Sequence, residues 1–265
     1  MMPSWEKLWP YRAVLAVDAR SFSAHTSKTM QQLNTDIQQV LAQALTAIGM
    51  SGRWERRMFG QHTGDGYVAG LEPEVLPGLV GCFPDALRQV LSEWRISHPG
   101  QPPLQLRASV HVGPLPTSGL GVPMVHTHRL LDDQALRDLL ARANPEVTNT
   151  AVIISQRVYE DVFHSGCATG DTLPSHFSRR LARVKTFEQP AWLHVPGLDW
   201  QLADPAIFET SNAEPVPEMP STPPASVGAA AVPNSVTFNQ HGPHGTQGYL
   251  QHIHNTFGGS NGEQR

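Results

Sequence analysis

Two carboxylates stand out because of what surrounds each of them. Asp18 closes the apolar run of residues 12–17 (RAVLAV), and Asp65 sits inside Gly64-Asp65-Gly66. The run is consistent with a buried strand, and Asp-Gly between two strand-like stretches signals a tight hairpin. If these strands are neighbours, both carboxylates project from the same end of one sheet. Magnesium takes hard oxygen ligands from one or two carboxylates plus substrate phosphates. A pair of such ions about 3.5–4 Å apart can polarise an attacking hydroxyl and stabilise a leaving pyrophosphate. Taken singly, each residue also has a plain structural reading: Asp-Gly is a common hairpin tip, and an Asp after a strand often caps a turn.

The elements that must position these groups follow from periodicity. Residues 28–48 carry Met30, Leu33, Ile37, Val40, Leu41, Leu45 and Ile48 at helical spacing. Residues 54–59 and 67–70 read as the strands flanking the Asp65 turn, and residues 75–94 as a second helix. Residues 104–112 (LQLRASVHV) alternate like a strand. A leucine- and arginine-rich helix is expected over 125–141 and a strand over 152–155. Ser155 is a candidate N-cap for a helix over 156–163, and 177–185 with 191–195 form a candidate closing strand pair. The βαββαβ order predicts an α+β fold with a ferredoxin-like core and an antiparallel sheet.

Composition supports one domain and an extension. Of 265 residues, 40% are hydrophobic and 16% charged, which suits a globular core with a polar tail. The net charge of -4 gives no electrostatic reason to expect nucleic-acid or membrane partners. Cys82 and Cys167 form no CxxC pair, and both read as thiols of a reducing compartment. The start of the chain lacks the apolar run of a signal peptide, and no stretch approaches a membrane span, so a cytoplasmic location is expected. Residues 10–198 are read as the folded domain. Residues 199–233, rich in Pro, Ala and Ser, are read as a disordered linker. Residues 234–265 form an Asn/Gln/Gly/His-rich tail, too short and glycine-rich to fold alone.

The motifs, in order, resemble those of class III nucleotide cyclases. VLAVDARSFS and QHTGDGYVAG are similar to the family's two metal motifs, LRASVHVGPL to its strand entering a glycine turn, and MVHTHRLLDDQAL to its helix with a phosphate-stabilising arginine. IISQRVYEDVF and LARVKTFEQPAWLHVPG resemble the closing elements of one branch, the uridylate and cytidylate cyclases of Pycsar anti-phage defence. The resemblance covers residues 10–198. It implies cyclisation of UTP or CTP to a 3′,5′-cyclic nucleotide with release of pyrophosphate. Asp18 and Asp65 would hold two Mg²⁺ or Mn²⁺ ions, and backbone amides from Ala19, Arg20, Ser21 and Phe22 would hold the triphosphate. Arg129 would neutralise charge at the α-phosphate, across the interface of a homodimer. Gln61 and His62 would line the nucleotide pocket, and Lys185 would be a further phosphate contact, although a solvated strand lysine explains it as well.

Two positions depart from the family pattern. Gln61 stands where adenylate cyclases carry a base-reading lysine, and Val125 where many members carry an asparagine to the ribose. Val125 keeps a second expectation open, a sensor or scaffold that has lost turnover. His126 and His128 are two apart and share no helix face, so polar or packing roles are expected for both. The segment SVTFNQHGPHGTQGYLQHIHNTFGG resembles bacterial amyloid signalling motifs, which implies recruitment of an effector by cross-β stacking; a disordered histidine-bearing tail is the alternative.

Overall fold

The computed structural model describes residues 8–204, and every structural statement below concerns these residues. Seven strands form one sheet in the order β2-β3-β1-β4-β5-β7-β6. They are β1 (Tyr11–Ala19), β2 (Phe59–His62), β3 (Gly66–Leu71), β4 (Leu106–Pro114), β5 (Thr150–Ser155), β6 (Ser178–Val184) and β7 (Phe187–His194). The helices are α1 (Ser27–Ala47), α2 (Ser51–Glu55), α3 (Leu76–Val80), α4 (Phe83–Ser97), α5 (Val122–Leu131), α6 (Gln134–Arg142) and α7 (Gln156–Tyr159). The β2-β3-β1-β4 half, all antiparallel, is the expected ferredoxin-like core. β5 departs from that pattern: it pairs with β4 in parallel, and the β6–β7 hairpin completes the far side.

Both faces of the sheet are covered, which is why β1 reads as a continuous apolar run rather than an alternating one. Ala13, Leu15 and Val17 face a core built with α1, α3 and α4, where Ile37, Leu41, Leu79, Phe83 and Leu87 are fully buried. Val14 and Ala16 face the opposite core, with Leu130, Leu136 and Leu140 of α5 and α6. Burying each of the larger side chains, Val, Leu, Ile or Phe, contributes about 1.5–3 kcal/mol. The next residue with the parity of Val14 and Ala16 is Asp18, so its side chain belongs to the α5–α6 face of the sheet, at the end of β1.

Several expected boundaries move for identifiable reasons. Trp54, expected in a strand, lies in the short helix α2, and β2 is confined to four residues. The helix expected over 75–94 is two helices, each with a proline in its first turn, Pro77 and Pro84. The helix expected over 125–141 breaks at Asp133, whose side chain caps α6 by accepting from the Ala135 and Leu136 amides. Ser155 caps α7 as expected, accepting from the Val158 amide. Near the end of the described residues, Trp200 donates to the His176 carbonyl at 2.9 Å and packs against the α5–α6 core, within the span expected to be linker. The expectations for residues 205–265, including the amyloid-like tail, lie outside the described residues.

Candidate active site

The register of three strands assembles the site. Asp18 pairs with Gly66 of β3 on one side and with Arg107 of β4 on the other. Gly66 is required there: a Cβ would come within 2.0 Å of the Val17 carbonyl oxygen and 3.0 Å of the Asp18 Cα. Gly64, at φ 92°, turns the hairpin, and the Thr63 amide donates to the Gly66 carbonyl at 3.0 Å. The Ala19 amide donates to the Asp65 carbonyl at 2.9 Å, stitching the hairpin tip to the strand end that carries Asp18. The Asp65 carboxyl group thereby comes close enough to the Asp18 carboxyl for its charge to act on it.

Arg107 forms a buried ion pair with Asp18. Burial pushes the Asp18 carboxyl up to about 7; Arg107 and, more distantly, Arg137 pull it down, while Asp65 pushes it further up. Burial also lowers the Arg107 guanidinium, against the pull of Asp18. Arg137, at the start of α6, is ion-paired with Asp132 and adds a second guanidinium to the field at Asp18. His128 of α5 is held below the usual imidazole range, first by burial, with Asp132 and Asp65 opposing and Arg129 reinforcing the shift.

With Arg107 on Asp18 Oδ2, the remaining Oδ1 and the Asp65 carboxylate are the donors a divalent cation would take. Asp18 Oδ1 is buried and has no hydrogen-bond partner, and a second carboxylate lies beside it. A buried acceptor left in that state carries a desolvation cost that an ion would relieve. Among the described residues no group of three or more His, Cys, Asp or Glu side chains could hold a metal, so two carboxylates are what the protein itself offers. That number suits Mg²⁺ or Mn²⁺, which keep waters and substrate oxygens as ligands.

The other expected site residues are placed unequally. Gln61 pairs with Val68, so it stands on the Asp18 face of the sheet. His62 is a correction: it pairs with Tyr67 on the opposite face, its ring edge-on to that tyrosine at 5.0 Å, and so it does not line a pocket at Asp18. The amide cradle is corrected in part. The Ala19 and Arg20 amides already donate to the Asp65 and Gln105 carbonyls, which leaves Ser21, in the left-handed region at φ 58°, and Phe22. The Arg20 side chain is also committed, donating to Gln105 Oε1 at 2.7 Å and to the Ala141 carbonyl at the end of α6. Lys185 is a correction too. It is exposed in the two-residue β6–β7 turn, beyond Phe187, whereas the His194 end of β7 is the end level with Asp18. Arg129 lies on α5 and makes no hydrogen bond or ion pair with a described residue, and the structure does not bring it onto the aspartate pair of its own chain.

Arg107 is not among the residues the sequence pattern puts at the site. The signal was present: a charged residue within a strand that reads as buried must find a counter-charge, and the strand ends of β1 and β4 offer Asp18.

No family model matches the chain, and no curated protein matches it. Among solved structures, it is similar to an adenylate/guanylate cyclase/hydrolase from Silicibacter pomeroyi, at 17% identity over 70% of this chain and 96% of that one, TM-score 0.46. It is similar also to an adenylyl cyclase from P. aeruginosa, at 13% identity over 70% and 92%, TM-score 0.41. A third is the guanylate cyclase domain from Catenaria anguillulae in complex with GTP, at 11% identity over 72% and 98%, TM-score 0.43. At these identities and TM-scores the likeness assigns no activity to the chain.

Proposed function

We propose that this protein is a nucleotide cyclase that converts UTP or CTP to the 3′,5′-cyclic nucleotide and pyrophosphate, as the messenger-forming enzyme of an anti-phage system. The observation that carries the reading is the Asp18–Asp65 pair, joined through the Ala19 amide to Asp65 carbonyl bond at one end of the sheet. Pyrimidine choice and the defence role rest on the sequence resemblance, with Gln61 on the Asp18 face in place of a lysine.

Asp18 and Asp65 would hold Mg²⁺ or Mn²⁺, which supplies Lewis-acid charge to the 3′-hydroxyl and the phosphates. The chain's own residues do the rest. The 3′-oxygen of the bound nucleotide forms a bond to the α-phosphorus as the bond from that phosphorus to the bridging oxygen breaks. The hydroxyl proton passes to solvent water, and pyrophosphate departs with the electron pair of the broken bond. Arg107, already beside Asp18, and Arg137 supply fixed positive charge for triphosphate oxygens. The Ser21 and Phe22 amides supply neutral donors at the end of β1.

Arg129 would act on the site of a second copy. α5 exposes Val122 (63%) and Val125 (51%), which with Arg129 form one stripe at i, i+3 and i+7. An apolar stripe ending in an unpaired guanidinium complements the acidic pair of a partner copy. A second reading, a cyclase-fold sensor without turnover, is favoured by one observation: the guanidinium of Arg107 holds Asp18 where a cation would sit.

Measuring Mn²⁺-dependent pyrophosphate release from UTP and CTP tests the enzyme reading. Release that is lost in Asp65→Ala supports it. Release that survives in Asp65→Ala removes the aspartate pair from the mechanism.

A further inference from the structure

We propose that Asn34, on α1, is the positioning residue for Asp65. Its functional consequence rests on the metal reading above; its geometry does not.

The tip that carries Asp65 has little to hold it. β2 is an edge strand of four residues, and Gly60, Gln61 and His62 are exposed. Segments with few buried apolar contacts open locally at low cost, yet a metal or catalytic carboxylate has to be held to about half an ångström. Three hydrogen bonds restrain the turn. Two are backbone pairs, Thr63 to the Gly66 carbonyl and Ala19 to the Asp65 carbonyl. The third comes from outside the sheet: Asn34 Nδ2 donates to the Gly64 carbonyl at 2.8 Å. The carbonyl acceptor fixes which end of the amide faces the turn.

Asn34 is well placed for this. It lies in a helix of 21 residues, and its neighbours Leu33, Asp36 and Ile37 are buried. Asp36 also accepts from the Trp94 indole at 3.2 Å, tying α1 to α4. Asn34 therefore carries the rigidity of the two-helix layer to the peptide just before Asp65. Its acceptor belongs to Gly64, the left-handed residue on which the turn's path depends. It is also the one restraint of the three that a side-chain substitution removes without breaking the sheet.

The experiment uses the full-length protein, with Asn34→Ala and Asn34→Leu against Thr35→Ala. Thr35 is an exposed neighbour whose hydroxyl bonds only within its own helix, to the Gln31 carbonyl. Three quantities are read: the exchange rate of the Ala19 amide, the dissociation constant for Mn²⁺ alone by electron paramagnetic resonance, and the thermal midpoint. In both Asn34 variants Ala19 should exchange roughly three- to tenfold faster, and the Mn²⁺ constant should rise by a similar factor, the scale of one net hydrogen bond. The thermal midpoint should fall below that of Thr35→Ala only by the few degrees that one hydrogen bond is worth, and the Mn²⁺ constant is the readout that a merely structural role would not move. Ala19 exchange and Mn²⁺ affinity equal to those of Thr35→Ala overturn the proposal. If the unsubstituted protein takes up no Mn²⁺, the metal reading fails, and Ala19 exchange alone decides whether Asn34 positions the turn.

Discussion

Asp18 and Arg107 face each other on adjacent strands and form an ion pair with little exposure on either side. Removing one member of such a pair leaves an uncompensated charge, whereas removing both leaves none. Arg107→Met and Asp18→Asn should each destabilise the fold by about 3–5 kcal/mol. The double variant should cost less than the two added together, by at least about 1 kcal/mol. Urea denaturation of the four proteins measures this; strict additivity would mean that the pair is not coupled.

Gly66 makes a second, independent claim on the geometry at Asp18. Gly66→Ala places a methyl against the Val17 carbonyl oxygen, a backbone atom that cannot rotate away. A loss of about 1–3 kcal/mol is expected, together with weaker Mn²⁺ uptake. Gly49→Ala, where a Cβ meets nothing within 4 Å but φ is +74°, gives a comparison in which only backbone strain acts. Mn²⁺ uptake unchanged in Gly66→Ala would contradict the close approach of β3 to Asp18.

His111 gives a pH dependence remote from the aspartates. It is buried, and burial first, then His126, lower its imidazole to about 4 from an ordinary 6.5. Between these values the unfolded chain binds the proton and the folded one does not. The His111 contribution to stability is therefore complete above about pH 6.5 and is lost as the pH drops towards 4, by up to about 3 kcal/mol, while Asp18, raised to about 7, acts in the opposite sense over the same window. His111→Gln should lose stability less steeply on acidification in that window than the unsubstituted protein. An equally steep profile in the variant would assign the effect to other groups.

The dimer reading has a genetic form. Asp65→Ala and Arg129→Ala should each lack activity alone. Mixed under conditions of subunit exchange, they should recover roughly a quarter of wild-type activity, because half the dimers then hold one intact composite site. No recovery on mixing, in samples shown to contain heterodimer, would place Arg129 outside the partner's site.

How much of this was legible beforehand differs by element. The β1 run, the long α1 periodicity and the Asp-Gly hairpin are strong local signals, and they were enough to place Asp18 and Asp65 at one end of the sheet. Proline at the starts of α3 and α4, and the Asp133 cap, divide two runs that a 3.6-residue count joins. What remained hidden is relational. Arg107 meets Asp18 only through the β1–β4 register, His62 falls on the wrong face by one residue of pleat, and Asn34 reaches Gly64 across 30 positions of sequence. Side-chain period within one strand says nothing about which strand lies alongside.

In the proposed function the Asp18–Asp65 site closes a pyrimidine nucleotide on itself. Full-length protein incubated with UTP, CTP, ATP and GTP separately, with Mn²⁺, and followed by chromatography and mass spectrometry tests it most directly. A 3′,5′-cyclic pyrimidine nucleotide and an equal amount of pyrophosphate are expected, with neither formed by Asp18→Asn. A folded protein that forms no cyclic product from any of the four nucleotides would contradict it.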